Sequence, residues 1–163
     1  MKFLVALTIV LLVSTALGNI KKDTLKAHKK YRKLHGVKKL KWDNNVAEFA
    51  EKHCKYLADN DKFEHSKNSG YGENLYKAGG SGSADKAGQK ATKMWYDEIK
   101  LYNYNNPGFS MQTGHFTQVV WKSSTKLGCA MATKGSSTWV CCNYSPPGNY
   151  QGQFPQNVLK LKN

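Results

Sequence analysis

Apolar positions after residue 20 recur at steps of three and four, which is the spacing of one face of an α-helix. In the first such segment they are Leu25, His28, Tyr31 and Leu34. Asp23 or Thr24 can cap this helix, which we expect to run to His35 and to stop at Gly36. Because His28 lies on the apolar stripe, we expect it to be a hydrogen-bonded core residue rather than a metal ligand.

Two further helices are predicted by the same rule. Asp43 is a typical N-cap residue, and the segment after it keeps a helical period to about Ala58. The third helix is expected over residues 85–102. Its buried side is predicted to consist of Ala87, Ala91, Met94, Trp95 and Ile99. The Gly/Ser-rich residues 79–83 form a flexible connector within one domain.

The last third of the chain has the composition of β-strands. Residues 114–121 are predicted to be a strand because Phe116, Val119, Val120 and Trp121 are bulky or β-branched. His115 lies at the start of this strand, directly after Gly114. Two more strands are expected over residues 127–132 and 139–144, joined by a hairpin at residues 134–137. Helices followed by an antiparallel meander predict an α+β fold.

Residues 1–18 have the features of a signal peptide. Lys2 supplies the positive start, residues 3–13 are apolar except for one threonine, and Ala16 and Gly18 place small residues before the cut. The apolar run is too short to cross a membrane as a helix. We therefore expect a secreted, extracellular protein whose mature chain, residues 19–163, is one domain of about 145 residues.

All four cysteines follow the leader, and an even number in a secreted chain predicts two disulfide bonds. Four cysteines allow three connectivities. Because neighbours in a strand face opposite sides, Cys141 and Cys142 should have different partners. One arrangement links Cys129 to Cys142 and leaves Cys54, on the second helix, for Cys141. A zinc cluster of thiolates is disfavoured because the chain has no paired C-x-x-C spacing.

The formal net charge is +14, from 25 Lys and Arg against 11 acidic residues, and it stays at +13 when Lys2 leaves with the leader. Ten of the basic residues fall between Lys21 and Lys41. Such a surface attracts an anionic membrane or polysaccharide, more strongly at low salt, although solubility alone explains it equally well. No nucleic-acid motif accompanies the charge, so we expect no nucleic-acid partner.

Four residues have the side chains of a metal site: His65, Glu73, Glu98 and His115. The first two lie at opposite ends of one loop and can therefore approach each other. Glu98 follows Met94 by one helical turn, near the predicted apolar side. Two imidazoles with carboxylates suit a divalent ion such as zinc, with the acids acting as ligands or as groups that orient the histidines.

Two longer motifs resemble signatures of the CAP superfamily, which comprises cysteine-rich secretory proteins, antigen 5 and plant pathogenesis-related proteins. They are residues 114–121, Gly-His-Phe-Thr-Gln-Val-Val-Trp, and residues 142–150, Cys-Asn-Tyr-Ser-Pro-Pro-Gly-Asn-Tyr. Shorter matches are His65-Ser66, the Gly-Glu-Asn-Leu of residues 72–75, and the opening Leu25-x-x-His28 with Arg32, Leu40 and Trp42. The resemblance covers almost all of residues 20–160, with five motifs in the family's order.

Within the superfamily the chain is most similar to the Golgi-associated plant-pathogenesis-related subtype. The similar segments are Trp95-Tyr96-x-Glu98-Ile99, Tyr102-Asn103-Tyr104, Pro107-Gly108-Phe109 and Asn157-Val158-Leu159. The chain departs from that subtype in two ways. It has a cleavable leader in place of a myristoylated second glycine, since Lys2 cannot be myristoylated, and it has the disulfide cysteines of secreted members.

The resemblance implies a three-layer α-β-α sandwich with a central antiparallel sheet and a large cleft that holds His65, Glu73, Glu98 and His115. It also implies binding of a divalent metal such as zinc, binding of a sterol or fatty acid, and a role in defence. We therefore expect a non-enzymatic binding protein for a lipid, a sterol, or a membrane or cell-wall surface. An apolar site needs aromatic lining, and the candidates near the cleft are Tyr102, Tyr104, Phe109 and Phe116.

Two other functions are compatible with the resemblance. One is an extracellular protease that depends on a metal or on His115 as base with Glu98 as its orienting group. The chain has no G-x-S-x-G or H-E-x-x-H motif, and the neighbours His65 and Ser66 do not generally present side chains to each other. The other is a venom- or allergen-like effector that binds a receptor.

Overall fold

The computed structural model describes the backbone of residues 3–162 and the side chains of residues 19–162. The helices are α1 (Phe3–Leu34), α2 (Asn44–Asp59), α3 (Ala87–Asp97), α4 (Gly114–Val120) and α5 (Phe154–Asn157), with a 3-10 helix at Glu98–Leu101. The strands are β1 (Lys41–Trp42), β2 (Gly72–Ala78), β3 (Lys126–Lys134) and β4 (Ser137–Ser145). The predicted signal peptide, residues 1–18, lies outside the residues whose side chains are described. Within the described residues, no helix has the length and apolarity that crossing a bilayer requires.

The four strands form one sheet in the order β1-β3-β4-β2. β3 and β4 form the predicted hairpin, β2 is antiparallel to β4, and only the two-residue β1 is parallel to its neighbour β3. Alternate residues of β4 belong to different cores: Cys141 packs with α2, whereas Cys142 packs with α1, α3 and α4. Helices therefore cover both faces, and the predicted α-β-α sandwich is confirmed.

The first helix ends as predicted but begins earlier than predicted. α1 starts at Phe3 and not after a cap at Asp23 or Thr24. Thr24 is buried inside the helix, where its hydroxyl donates to the carbonyl of Ile20 at 2.7 Å, because the backbone upstream is already helical. Beyond the helix end, Gly36 has a φ of +67°, which glycine adopts without strain.

His28 is a core residue of α1, as predicted. It is fully buried, and its two ring nitrogens bond the carbonyl of Thr24 and the hydroxyl of Tyr144, each at 2.8 Å. Burial lowers the pKa of His28 to about 4, so the imidazole is neutral at physiological pH. This histidine therefore links the first helix to the sheet and is not free to bind a ligand.

Residues 114–121 are not a strand, which corrects the sequence prediction. Residues 114–120 form α4, and Phe116, Val119 and Val120 are fully buried on one of its faces. These three positions also fit a helical period, so burial on a helix overrides their β-propensity. The carboxylate of Glu98 accepts the backbone N–H groups of His115 and Phe116 at 3.0 Å each and so satisfies two of the helix's first donors.

The other elements agree with prediction in part. α2 begins after the predicted cap Asp43, whose side chain accepts the N–H groups of Asn45 and Val46. The third helical segment is divided into α3 and the 3-10 turn, and Met94 is 61% exposed rather than buried. Strands β1 and β2 were not predicted, because neither has the alternation of a half-buried strand.

One of the two expected disulfide bonds is present. Cys129 and Cys142 are paired residues of β3 and β4 and are bonded to each other. Cys54 and Cys141 are free, buried thiols, which corrects the expected second bond. Cys54 donates to the carbonyl of Ala130 at 3.7 Å. Burial raises the pKa of Cys141, and so does its hydrogen bond to Cys54, so this thiol stays protonated and unreactive.

Candidate functional site

Glu98 and His115 form a hydrogen-bonded pair at the start of α4. Oε1 of Glu98 lies 2.7 Å from Nδ1 of His115, while Oε2 accepts the two backbone N–H groups described above. The ring of His115 also stacks on Trp95, with 6.3 Å between ring centroids. The side chain of His115 is one-third exposed, so its imidazole is held in place and still reachable from solvent.

His65 and Glu73 form a second pair, as their positions at the two ends of one loop suggested. Nδ1 of His65 lies 2.8 Å from Oε1 of Glu73. The same carboxylate accepts the backbone N–H of Ser66 at 2.9 Å and its hydroxyl at 2.7 Å. Burial acts to raise the pKa of Glu73, but the hydrogen bonds from His65 and Ser66 outweigh it and hold the pKa at about 2. The hydrogen bond to Glu73 raises the pKa of His65.

The two pairs are supported by consecutive residues of the edge strand β2. Glu73 and Asn74 are consecutive in this strand and therefore point to opposite sides of the sheet. Asn74 is on the α4 side, where its amide donates to the backbone carbonyl of His115 at 3.1 Å and to the hydroxyl of Tyr144 at 3.2 Å. One strand thus supports both pairs. The role of Asn74 was not predicted, since an Asn within a polar stretch gives no sign of burial.

The arrangement provides two oriented imidazoles but no assembled cluster of ligands. Among residues 19–162, neither Nε2 atom of His65 or His115 has a hydrogen-bond partner, whereas each Nδ1 is held by a glutamate. This is the way metal-binding histidines are commonly oriented. However, no three His, Cys, Asp or Glu side chains of the described part of the chain lie together as a metal site. The residues therefore suit a weak metal site with the carboxylates behind the histidines.

Ser66 is not placed as a catalytic nucleophile. Its hydroxyl donates to Oε2 of Glu73, and the carboxylate is also bonded to Nδ1 of His65. An activated serine needs to give its proton to a base such as an imidazole. The carboxylate of Glu73 is ionised and accepts hydrogen bonds from both His65 and Ser66. It therefore orders the loop between these residues and does not activate the hydroxyl of Ser66.

The four predicted aromatic binding residues differ in exposure. Phe116 and Tyr102 are buried, Tyr104 is partly buried, and Phe109 is 46% exposed. Tyr102 packs edge-on against Tyr104 and Phe116, at centroid distances of 4.8 and 5.5 Å. In the described part of the chain, the hydroxyl groups of Tyr102 and Tyr104 are buried without a hydrogen-bond partner. The structure brings together an aromatic cluster with two unsatisfied polar groups.

Tyr102, Tyr104 and Phe109 belong to a loop, residues 102–113, whose two ends are fixed. Glu98 holds the end at His115, and the amide of Asn149 donates to the carbonyl of Gly114 at 2.9 Å. Asn149 also accepts the hydroxyl of Thr117 at 2.6 Å. Among the described residues, the hydrogen bonds of residues 103–112 are all local to the loop. The loop can therefore move while its ends stay in place.

We expect Glu73→Gln to remove part of the acid sensitivity of the fold. The folded-state pKa of about 2 lies below the usual 4.5, so the stabilisation by Glu73 is present above pH 4.5 and is lost as the pH falls towards 2. Allowing for screening at the exposed His65, this contribution is about 2 kcal/mol. Because the pKa of His65 is raised, its own contribution is present below its unfolded pKa of 6.5 and is lost as the pH rises through the folded value.

The measurement is urea unfolding of wild type and Glu73→Gln from pH 2.5 to pH 8. The difference between their free energies of unfolding should shrink as the pH falls below 4.5. A difference that stays constant over this range would show that the carboxylate is not preferentially ionised in the folded state. Glu48→Gln, at an exposed residue of α2, is the matched control and should leave the profile nearly unchanged.

Comparison with known families gives an extensive match. The model of the CAP family, described as the cysteine-rich secretory protein family, matches residues 25–144. The chain is 42% identical to the human Golgi-associated plant pathogenesis-related protein 1 over 147 residues, covering 86% of this chain and 92% of that protein. It is 37% identical to pathogenesis-related protein 1 of Arabidopsis thaliana, covering 93% and 92%.

Solved structures share the fold. Na-ASP-1 matches with a TM-score of 0.71 and 26% identity over 88% of this chain and 42% of that one. BmVAL-1 matches with a TM-score of 0.71 and 28% identity over 88% and 83%. NaASP2, whose structure was solved with Zn²⁺, has the same TM-score of 0.71 at 23% identity, which bears on the fold alone.

Proposed function

Since the chain belongs to the CAP family of cysteine-rich secretory proteins, we propose that it is a secreted, non-enzymatic protein that binds a sterol or a fatty acid. The pathogenesis-related names of its relatives support a role in defence or in other extracellular interactions. One relative is called Golgi-associated, so secretion rests on the leader of residues 1–18. The observation that carries the ligand proposal is the pair of unsatisfied tyrosine hydroxyls in the aromatic cluster.

A buried hydroxyl without a partner costs about 1–3 kcal/mol, so folded proteins usually keep such groups satisfied. Tyr102 and Tyr104 both leave this cost unmet in the described structure. A sterol has one hydroxyl on a large apolar body, and a fatty acid has one carboxylate on an apolar chain. Either ligand supplies a single polar group to the tyrosines and buries the rest against aromatic rings. Burial raises the pKa of Tyr104, so its hydroxyl stays a hydrogen-bond donor.

The entry route is the loop of residues 102–113. Phe109 at its outer side is exposed, and its ring lies over Gly114, where an added Cβ would be 3.0 Å from the ring. Movement of the loop uncovers Tyr104 without breaking the hydrogen bonds of Glu98 and Asn149 at its ends. Native mass spectrometry of the secreted protein with a sterol and fatty-acid mixture tests the proposal directly. Absence of any retained lipid would contradict it.

Replacement of both tyrosines, Tyr102→Phe with Tyr104→Phe, is expected to have opposite effects on stability and binding. Removing two unsatisfied hydroxyls should raise the free energy of unfolding by about 1 kcal/mol. The same change should weaken sterol binding about tenfold, because the ligand's polar group loses its partners. Thermal unfolding and a fluorescent-sterol titration measure the two effects. Tyr71→Phe, on another part of the surface, is the control and should change neither quantity. A double variant that binds as tightly as wild type would exclude these hydroxyls from the site.

We also propose that His65 and His115 bind a divalent cation such as zinc through their Nε2 atoms. Glu73 and Glu98 would orient the rings and make them better ligands. Two protein ligands bind more weakly than the three or four of an ordinary zinc site. Zinc, when bound, supplies a positive charge beside the aromatic loop. The lipid proposal does not depend on it, because the aromatic cluster contains neither histidine.

His115→Ala is expected to abolish zinc binding and to leave the fold intact. The backbone N–H of residue 115 still reaches Glu98 in this variant, so the start of α4 stays satisfied. Competition with a chromophoric chelator measures zinc affinity, and circular dichroism verifies the fold. His65→Ala should have the same effect. His53→Ala tests specificity, since His53 lies beside His65 but its Nε2 already bonds the carbonyl of Glu64, and this variant should keep its zinc affinity. Unchanged zinc affinity in His115→Ala would remove this residue from the site.

A further inference from the structure

A groove rimmed by lysines lies between α1 and α3. Its volume is about 430 Å³. Lys26 and Lys30 of α1 form one rim, and Lys86, Lys90 and Lys93 form the other. The rest of its lining is Ala27, Tyr31 and Gln89. Within residues 19–162, no carboxylate lines this groove, and five positive charges therefore face one space.

Most of these charges are not neutralised. Lys93 is paired with Asp97, and Lys90 donates to the carbonyl of Gly82 at 3.0 Å. For Lys26, Lys30 and Lys86, the described residues provide no salt bridge. Lys30 only lies over the ring of Tyr31, 5.4 Å from its centroid. Like charges collected around a groove repel each other, and an anionic ligand removes that repulsion.

The two rims run side by side. α3 packs against α1 at Gly88, where an added Cβ would be 2.8 Å from Thr24 and 2.9 Å from Ile20. Further along, Tyr31 of α1 stacks on Tyr96 of α3, with ring centroids 4.0 Å apart. Both helices therefore advance in the same direction along the groove. At a helical rise of 1.5 Å per residue, the lysines extend for about 6 Å on α1 and about 10 Å on α3.

The first part of the groove continues into a neighbouring depression. That depression shares Lys26, Lys86 and Gln89 with the groove and adds Lys22. It also contains two carboxylates, Asp23 and Asp85, and Asp23 accepts the side-chain amide of Gln89 at 2.7 Å. Asp23 and Asp85 lie at this end, and Asp97 pairs with Lys93 at the other end. The anionic ligand is therefore expected to lie along Lys26, Lys30, Lys86 and Lys90 and to leave the depression open.

We propose that this groove binds a linear anionic polysaccharide, with sulfate or carboxylate groups along the chain contacting the two rows of lysines. The elongated, two-rimmed arrangement suits charges repeated along a chain better than one compact group. A bilayer surface is disfavoured because membrane attachment requires apolar side chains inserted beside the basic ones. None of the large exposed apolar residues of the described chain lines the groove. The groove shares no residue with the aromatic loop or the two histidine pairs. The polysaccharide proposal is therefore independent of the lipid proposal.

The test uses the full-length protein and a heparin hexasaccharide as the probe, with binding measured by isothermal titration calorimetry at 50 and 300 mM salt. The groove variant combines Lys26→Gln, Lys30→Gln and Lys90→Gln. The control combines Lys38→Gln, Lys39→Gln and Lys122→Gln, which remove the same charge at exposed positions outside the groove. Loss of three partly exposed charge contacts should lower the affinity roughly tenfold. We expect that loss in the groove variant and a change below about threefold in the control.

Three results would overturn the proposal. The first is an equal loss in both variants, which would mean that net charge alone attracts the probe. The second is equal binding of an uncharged hexasaccharide, such as maltohexaose, by wild type. The third is no binding of the heparin hexasaccharide by wild type. Binding to phosphatidylserine vesicles that is lost in the groove variant would then make the groove a membrane contact. Circular dichroism melts verify that both variants are folded.

Discussion

Replacement of Arg32 by methionine is expected to lower the free energy of unfolding by about 4 kcal/mol. Arg32 is fully buried in α1, and its guanidinium donates four hydrogen bonds to backbone carbonyls. The acceptors are Lys38 at 2.8 Å, Val119 at 3.1 Å, Trp121 at 2.8 Å and Ser124 at 2.9 Å. Methionine fills much of the space but donates no hydrogen bond. Four carbonyl groups then lose this donor, three of them in buried hydrogen bonds, although that of Trp121 keeps the N–H of Ser124. Each such loss costs about 1 kcal/mol.

The charge of Arg32 has a favourable position even though burial opposes it. Burial lowers its pKa to about 10, so the guanidinium remains protonated at neutral pH. Two of its acceptors, Val119 and Trp121, lie at the end of α4, where the carbonyls of a helix lack internal partners and a positive charge is favourable. Loss of Arg32 therefore separates α1 from the last turn of α4.

The measurement is urea unfolding at pH 7 followed by far-ultraviolet circular dichroism. Arg32→Lys keeps the charge with one nitrogen instead of three and should lose about 2 kcal/mol, which provides a reading if the methionine variant does not fold. Lys33→Met, at the exposed neighbouring position, is the control and should stay within about 0.5 kcal/mol of wild type. A loss below about 1 kcal/mol in Arg32→Met would mean that water or rearrangement satisfies the carbonyls.

Gly128→Ala is expected to cost about 3 kcal/mol, although it adds only one methyl group. An added Cβ at Gly128 would lie 2.6 Å from Cα of Ala47 and closer still to the backbone atoms around it. These neighbours are main-chain atoms of α2, which cannot rotate away as a side chain can. The start of α2 is also fixed to β3, because the N–H of Asp43 donates to the carbonyl of Leu127 at 3.0 Å. The methyl group must therefore push α2 away from the sheet.

Gly79→Ala provides the matched control for this substitution. An added Cβ at Gly79 meets only the hydroxyl oxygen of Ser137, at 3.9 Å, which is ordinary contact. Its change in the free energy of unfolding should be below about 0.5 kcal/mol. The same urea experiment measures both variants. Equal stabilities for the two variants would mean that α2 and β3 can separate at little cost.

The sequence predicted the elements whose signals are local. The cap at Asp43, the hairpin after β3 and the stop at Gly36 each depend on a few neighbouring residues, and all three are present. α4 was predicted wrongly because its seven residues are too few for helical and strand periods to be distinguished. The group that satisfies its first N–H donors is Glu98, 17 residues before His115, and such a distant contact leaves no local pattern.

The candidate site was predicted in its parts and not in its arrangement. The positions of His65 and Glu73 at the two ends of one loop predicted that they lie close together, and in the structure they are hydrogen-bonded. The support of both pairs by neighbouring residues of β2 could not be predicted, because β2 itself is defined by its pairing with β4 across the sheet. Cys54 and Cys141 show the same limit. The even number of cysteines favoured two bonds. Cys129 and Cys142 are joined because the strand register places them opposite each other, whereas Cys54 and Cys141 are free.

The fixed ends of the loop over residues 102–113 have an evolutionary consequence. Glu98 and Asn149 hold those ends through contacts that do not involve the residues between them. Insertions, deletions and substitutions within residues 105–112, which are exposed or partly exposed, therefore cost the scaffold little. A lineage carrying this fold can change what it binds by exchanging one interchangeable segment, while the sheet and its helices are inherited unchanged.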